Sequence, residues 1–216
     1  MQISIILSFL VTHRINFLMW NQELEKLSAI VSDTVRDYGV KSVGVYTISF
    51  DEIVPILIQA PLYEILEKVR WYGSDSSAQN HHITKNIDSA QFAMKTNFSN
   101  PLYSIKNGTE KFHDLEEDLE KKSHEVGSVI YPAIAYDSYW IAALSLDKNS
   151  TLNPEKENLT KSFRGLVNET VESFEGISGN IKLNGAGDRI GGDYDFWIVG
   201  KDNATQSYEW ITTRIP

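Results

Sequence analysis

"EVGSVIYPAIAYDSYWIAALSLDKNSTLNPEKENL", residues 125–159, decides how the rest of the chain is read. Two apolar runs flank "AYDSY" and are rich in Val, Ile, Tyr and Trp, residue types that fit a pleated, half-buried surface. The Asp-Ser pair between them has turn chemistry. Asp147, Lys148, Asn149 and Ser150 then break the second run, and a polar stretch containing Pro154 follows. Proline is tolerated in the first turn of a helix. The pattern predicts a tight pair of strands, a loop, and a helix opening near Pro154.

Downstream, Leu159, Phe163, Leu166, Val167, Val171 and Phe174 recur at helical spacing. Beyond Gly179 the chain turns Gly-rich, with Gly185, Gly187, Gly191 and Gly192, and then aromatic. "YDFWIVG" and "SYEWITTRI" around "KDNAT" predict a linker followed by a β-hairpin. Phe196, Val199, Trp210 and Ile211 are costly to expose, and a lone hairpin is marginal in water. It is expected to add to the domain's own sheet edge.

Upstream, "FHDLEEDLEKKSHEVG" predicts a charged surface helix, "PLYSIKNG" a strand entering a turn, and "DSAQFAMKTN" a short helix. Residues 74–86 form a polar trough and read as a loop. "LYEILEKVRWYG" has helical spacing up to Gly73, and "IVPILIQAP", with Pro55 and Pro61, reads as an edge strand or irregular segment. "VKSVGVYTISF" predicts a strand. "NQELEKLSAIVSDTVRDYGV" predicts a helix on Leu24, Leu27, Ile30, Val31 and Val35, capped by Gly39. The fold class expected is α+β: an antiparallel sheet with helices on its faces, plus a C-terminal hairpin.

The apolar run from Ile3 to Val11 is interrupted by His13 and Arg14 and is too short to span a bilayer. It lacks the features of a cleavable signal. An early start, with Met19 as the true beginning, is the expectation, and a packed segment the alternative. The domains expected are 1–19, an apolar segment; 20–178, the folded domain; and 179–216, linker and hairpin.

The 216 residues are 42% hydrophobic and carry a formal charge of −9, enough apolar content for a core and too acidic for a nucleic-acid footprint. Cysteine is absent, which excludes disulfides, thiolate catalysis and Cys-based zinc sites and points to a cytoplasmic setting. No membrane association is expected. Asn97, Asn107, Asn149, Asn158, Asn168 and Asn203 each open an Asn-X-Ser/Thr triplet, read here as the chance product of a polar surface.

The order of elements from about Trp20 to Glu175 resembles a GAF domain, a small-molecule sensor related to PAS domains. "ELEKLSAIVSDTVRDYGVKSVGVYTIS" is similar to its opening helix and strand. "NGTEKFHDLEEDLEKKSHEVGSVIYPAI" and "YDSYWIAALSLDKN" are similar to the segments forming its central strands, and "LNPEKENLTKSFRGLVNETVESF" to its closing helix. The resemblance implies an α-β-α sandwich with a pocket walled by Trp71, Tyr72, Tyr103, Phe112, Tyr131 and Trp140. Of the cyclic-nucleotide signature, only Lys148 and Glu157 match, so a cyclic nucleotide is not the expected ligand. A second resemblance, to autoinducer-binding domains, rests on Asp88-Ser89 and on Trp71 and Tyr72.

Candidate chemistry elsewhere is thin. The adjacent His81 and His82, with His113 and His124, lack metal-site spacing. Asp114, Glu116, Glu117, Asp118 and Glu120 form a wet charged face. The Gly-rich stretch is followed by a strand, so it lacks the strand–turn–helix context of a phosphate loop. The function expected is a non-enzymatic small-molecule sensor acting through a protein partner or as a homodimer. No cofactor is identified, and no catalytic or metal-binding residue is expected. An interaction scaffold without a ligand is the rival.

Overall fold

Ser4–Leu10 (β1), Phe17–Tyr38 (α1) and Val43–Ile48 (β2) open the chain as strand, helix, strand. A crossover helix carries the chain back to the end where it started, so the second strand runs parallel to the first. In the computed structural model β1 pairs with β2 in parallel from Ser4–Val43 to Leu10–Ile48. A third strand, β3 (Arg70–Tyr72), joins β2 on its other side, also in parallel, and a parallel bridge from Tyr72 to Ser99 continues the direction. The structure describes residues 4–10, 17–105, 110–122, 128–152 and 159–213. Pro154, Lys156 and Glu157 lie outside them.

The helix–strand mixture expected from the sequence is present, but this first sheet is parallel rather than antiparallel. Ser4–Leu10 is one of its strands. "IVPILIQ" is a helix, α2 (Ile53–Gln59), because Pro55 sits in the first turn, where a missing N–H costs nothing. The helical reading of residues 62–73 reduces to a 3-10 turn at Glu64–Glu67 followed by β3. Two short helices, α3 (His81–Lys85) and α4 (Ile87–Lys95), lead to β4 (Asn100–Ser104). The opening helix and its Gly39 terminus, at φ +79, stand as expected.

By chain contacts the protein divides into two units, Met1–Leu102 with Tyr194–Pro216, and Tyr103–Asp193. These boundaries fall elsewhere than the 19/20 and 178/179 divisions suggested by composition. The first unit's core forms on one face of the parallel sheet. Trp20, Leu24, Leu27 and Val31 of α1 meet Val43 and Val45 of β2, Ile53, Ile56 and Leu57 of α2, and Phe92 of α4. Trp71 is fully buried among them, its ring edge-on to Phe92 at 5.1 Å and its indole N–H donating to Leu66 O at 2.8 Å.

The second unit holds α5 (Glu110–Lys122), α6 (Ile130–Leu152), α7 (Leu159–Ser173) and two short paired strands, β5 (Glu175–Gly176) and β6 (Gly179–Asn180). The strand pair predicted at residues 129–146 is therefore a single helix, and the central strands of the GAF-like layout are absent there. Four alanines, Ala133, Ala135, Ala142 and Ala143, favour the helix. Pro132 lies in the first turn. The residues that looked like a turn are satisfied within helical geometry: Ser138 Oγ donates to Ile134 O, and Asp137 bonds to a distant segment.

That segment is the one read as a linker, and it is a set of tied turns. Asp137 is buried and accepts from Ile177 N and Ser178 N, both at 2.8 Å, and from Ser178 Oγ at 2.5 Å. Arg189 donates to Ser178 Oγ, Ser178 O and Asn180 O. Asn184 Oδ1 accepts from Ala186 N and Asp188 N, an Asx turn closed with Gly187 at φ +96.

The C-terminal strands β7 (Asp193–Lys201) and β8 (Tyr208–Thr213) pair antiparallel from Phe196–Thr213 to Lys201–Tyr208, as expected. They extend the chain's own strands in the order β4-β7-β8, so the hairpin pairs in cis. In its turn the Thr205 hydroxyl and the Ala204 amide hold the Asp202 carboxyl below the ordinary carboxylate range. The turn therefore keeps this support at neutral pH and loses it as acid protonates Asp202. Among the described residues no helix is long and apolar enough to cross a membrane.

Candidate functional site

In open α/β sheets, ligands bind in the crevice outside the carboxyl ends of the parallel strands, where loops gather over a rigid frame. Here two loops meet at that edge. Residues 49–52 follow β2, and residues 73–80 follow β3 with the sequence Gly-Ser-Asp-Ser-Ser-Ala-Gln-Asn. The first residue beyond the Ser99 bridge, Asn100, lies beside them.

The second loop is held at many points. Ser76 Oγ donates to Ser49 O at 2.9 Å, tying it to the end of β2, and lies 2.6 Å from Ser74 Oγ. Ser77 Oγ lies 2.7 Å from Asn100 Oδ1, with both residues buried. Asn80 Nδ2 donates to Asp51 Oδ1 at 3.0 Å. Gly73 is required here: a Cβ would collide with the Asn100 amide oxygen and lie 2.5 Å from Ser77 Oγ. Asp75 remains exposed, its Oδ1 accepting from Ser76 N at 2.9 Å. Ser49 Oγ is buried and has no hydrogen-bond partner among the described residues. The edge thus presents two anchored carboxylates, Asp51 and Asp75, among hydroxyls.

A cavity of about 440 Å³ adjoins this loop, lined by Gly44, Tyr46, Tyr72, Gly73, Pro101 and Phe196, with Ser99 completing its wall. Its size lies within the range of small-molecule sites. Alternation along the strands creates it: Val45 and Trp71 point into the core, so Tyr46 and Tyr72 point to the opposite face. The Tyr72 ring lies across Gly44, where a Cβ would sit 2.9 Å from it. A void of about 20 Å³ between α1 and the other face has room for one water at most. In the second unit an open groove of about 540 Å³ runs along α7, between Asn168 and Ile190.

Of the six aromatics expected around a pocket, Tyr72 lines the 440 Å³ cavity, while its neighbour Trp71 is core. The other four belong to the second unit. The Arg189 guanidinium lies 4.7 Å from the Tyr103 ring centre. Phe112 is half-buried on α5 beside His113, and Tyr131 and Trp140 are exposed on α6, with Trp140 packed against Tyr136. α5 is the charged surface helix expected, with Lys121–Glu117 and Lys122–Asp118 pairs along it. Among the described residues no cluster of three or more metal-ligating side chains occurs.

Asp75, Ser76, Ser77 and Asn100 were missed by reasoning from sequence. The available signal was Gly-Ser-Asp-Ser-Ser directly after "VRWY", a run of small polar residues leaving a short apolar strand.

No protein-family model matches the chain. An uncharacterized protein of Methanocaldococcus jannaschii is 24% identical over 196 residues, covering 86% of this chain and 45% of that protein. Among solved structures, an ABC transporter substrate-binding protein from Desulfitobacterium hafniense, also solved in complex with Leu, is similar at a TM-score of 0.52 and 18% identity. It is matched over 87% of this chain and 48% of its own. A second substrate-binding protein, from Sphaerobacter thermophilus, gives a TM-score of 0.56 at 13% identity over 91% of this chain and 49% of its own. The chain thus spans about half the length of the proteins it matches, and the likeness is one of fold. Over that half the chain shares its fold with these two substrate-binding proteins.

Proposed function

We propose that this chain binds a small zwitterionic molecule of the amino-acid class at the carboxyl edge of the first unit's parallel sheet, and binds it without transforming it. The observation that carries the reading is the residue 73–80 loop, where Asp75 stands exposed on a backbone fixed by Ser76, Ser77 and Asn80. A carboxylate pairs with an ammonium group, and the Ser49 hydroxyl, which has no hydrogen-bond partner among the described residues, offers a donor to a ligand carboxylate. The cavity beside Tyr72 suits an apolar side chain. The fold shared with substrate-binding proteins, one of them solved with Leu, supports the same ligand class.

A second reading rests on that cavity. Parallel sheets are ordinarily covered on both faces, and here strand residues line most of the space, with Gly73 and Ser99 completing it. A protein layer docking there would make the chain an interaction module. Calorimetric titration with the twenty amino acids separates the two. The ligand reading expects one chemical subset to bind and to be recovered unchanged. Asp75→Asn is expected to weaken that binding by roughly 10- to 100-fold, the value of a charge-assisted hydrogen bond. Binding unaffected by Asp75→Asn, or absent for every amino acid, would reject it.

A further inference from the structure

We propose that Trp210, on the C-terminal hairpin, is a positioning residue for the residue 73–80 loop, an inference that rests on reading that loop as the ligand site. Its indole N–H donates to Asn80 O at 3.0 Å, joining residues 130 positions apart. Asn80 is the last residue of the loop and the cap of α3. Its side chain accepts from His82 N at 2.9 Å and donates to Asp51 Oδ1 at 3.0 Å. One residue is therefore held by the hairpin through its backbone and by two other elements through its side chain.

The residue before it explains why so many ties converge. Gln79 has φ +57, a left-handed conformation that a residue with a Cβ enters at a cost. Such conformations persist only where the surroundings over-determine them, and they concentrate at binding loops. At the other end, Gly73 and the Ser77–Asn100 contact seat the loop on the sheet. Trp210 supplies the tie at the strained end, with its ring packed against the first unit's core. Without the indole N–H, the Gln79–Asn80 link keeps only its ties to Asp51, Ser77 and α3, and the loop that carries Asp75 is held less firmly at this end.

Phenylalanine at this position keeps an aromatic ring and removes the donor. In the full chain carrying Trp210→Phe, hydrogen exchange of the Ser77, Ala78 and Asn80 amides is expected to rise roughly 5- to 10-fold, the loss of one neutral hydrogen bond. Amides of α1 and α4 are expected to keep their protection. L-leucine, used as the probe, is expected to bind more weakly by the same factor. Unchanged exchange in the loop overturns the proposal. A uniform rise across α1, α4 and the loop also overturns it, since that reports general loosening. If the loop amides alone respond while neither L-leucine nor any other of the twenty amino acids binds the unsubstituted protein, the positioning role stands and the amino-acid reading falls.

Discussion

Asp137→Ala is expected to destabilise the second unit by about 3–5 kcal/mol, a large share of the ~5–15 kcal/mol that holds a typical domain folded. The carboxylate is 1% exposed and accepts from two backbone amides and one hydroxyl. Alanine leaves the Ile177 and Ser178 amides buried without an acceptor, and each orphaned donor costs about 1–3 kcal/mol. It also removes the anchor of Ser178, through which Arg189 ties the turn at residues 180–189. Gly176 has no Cβ because one would lie 2.5 Å from Asp137 Oδ2, so the two segments are shaped around this carboxylate. Asparagine keeps one acceptor but turns an NH2 group toward a backbone donor, and an intermediate loss is expected. Urea denaturation followed by hydrogen exchange of the α6 and α7 amides measures both. Wild-type protection in Asp137→Ala would show that the network contributes little.

Removing residues 1–16 is expected to lower the melting temperature by roughly 10 °C, the equivalent of several kcal/mol for a chain of this size, and to promote aggregation. β1 covers β2 along its whole length, from Val43 to Ile48. Deleting it leaves a long, apolar, unpaired strand edge, the feature that recruits other chains. A start at Met19 removes a sheet strand rather than a dispensable leader. Thermal melting with light scattering tests this. An unchanged midpoint and a monodisperse product would contradict the pairing of Ser4–Leu10 with β2.

The elements legible in the sequence were those whose determinants are local. α1 follows from Leu24, Leu27 and Val31 at helical spacing and from Gly39 at its end. α4, α5, α7 and the β7–β8 hairpin likewise follow from periodicity and turn residues. α6 was misread because Val129, Ile130, Ile134, Tyr139 and Trp140 favour strands, while its helix is completed by partners far along the chain. Asp137 looks like a turn residue until Ile177 and Ser178 are seen donating to it, and nothing near residue 137 announces that contact. β3 was hidden by brevity: three residues, Arg70–Tyr72, sit inside a longer helical spacing. The candidate site was obscured for a related reason. Its loop reads as solvent-exposed polar sequence, and only the Ser49, Asp51 and Asn100 contacts reveal it as a fixed structure over a strand edge. Tyr72, singled out for its aromatic bulk, lines the cavity, while Asp75 was passed over because its setting is not visible in sequence.

The central claim is that this edge receives an amino-acid-class ligand. Amide chemical shifts recorded during titration with L-leucine, and then with each other amino acid, test it most directly. The expected result is a saturable set of changes at Ser49–Asp51, Gly73–Asn80 and Asn100, with the α1 amides unmoved and the set lost in Asp75→Asn. Changes centred elsewhere, or none with any amino acid at millimolar concentration, the weak end of specific affinity at about −4 kcal/mol, would contradict it.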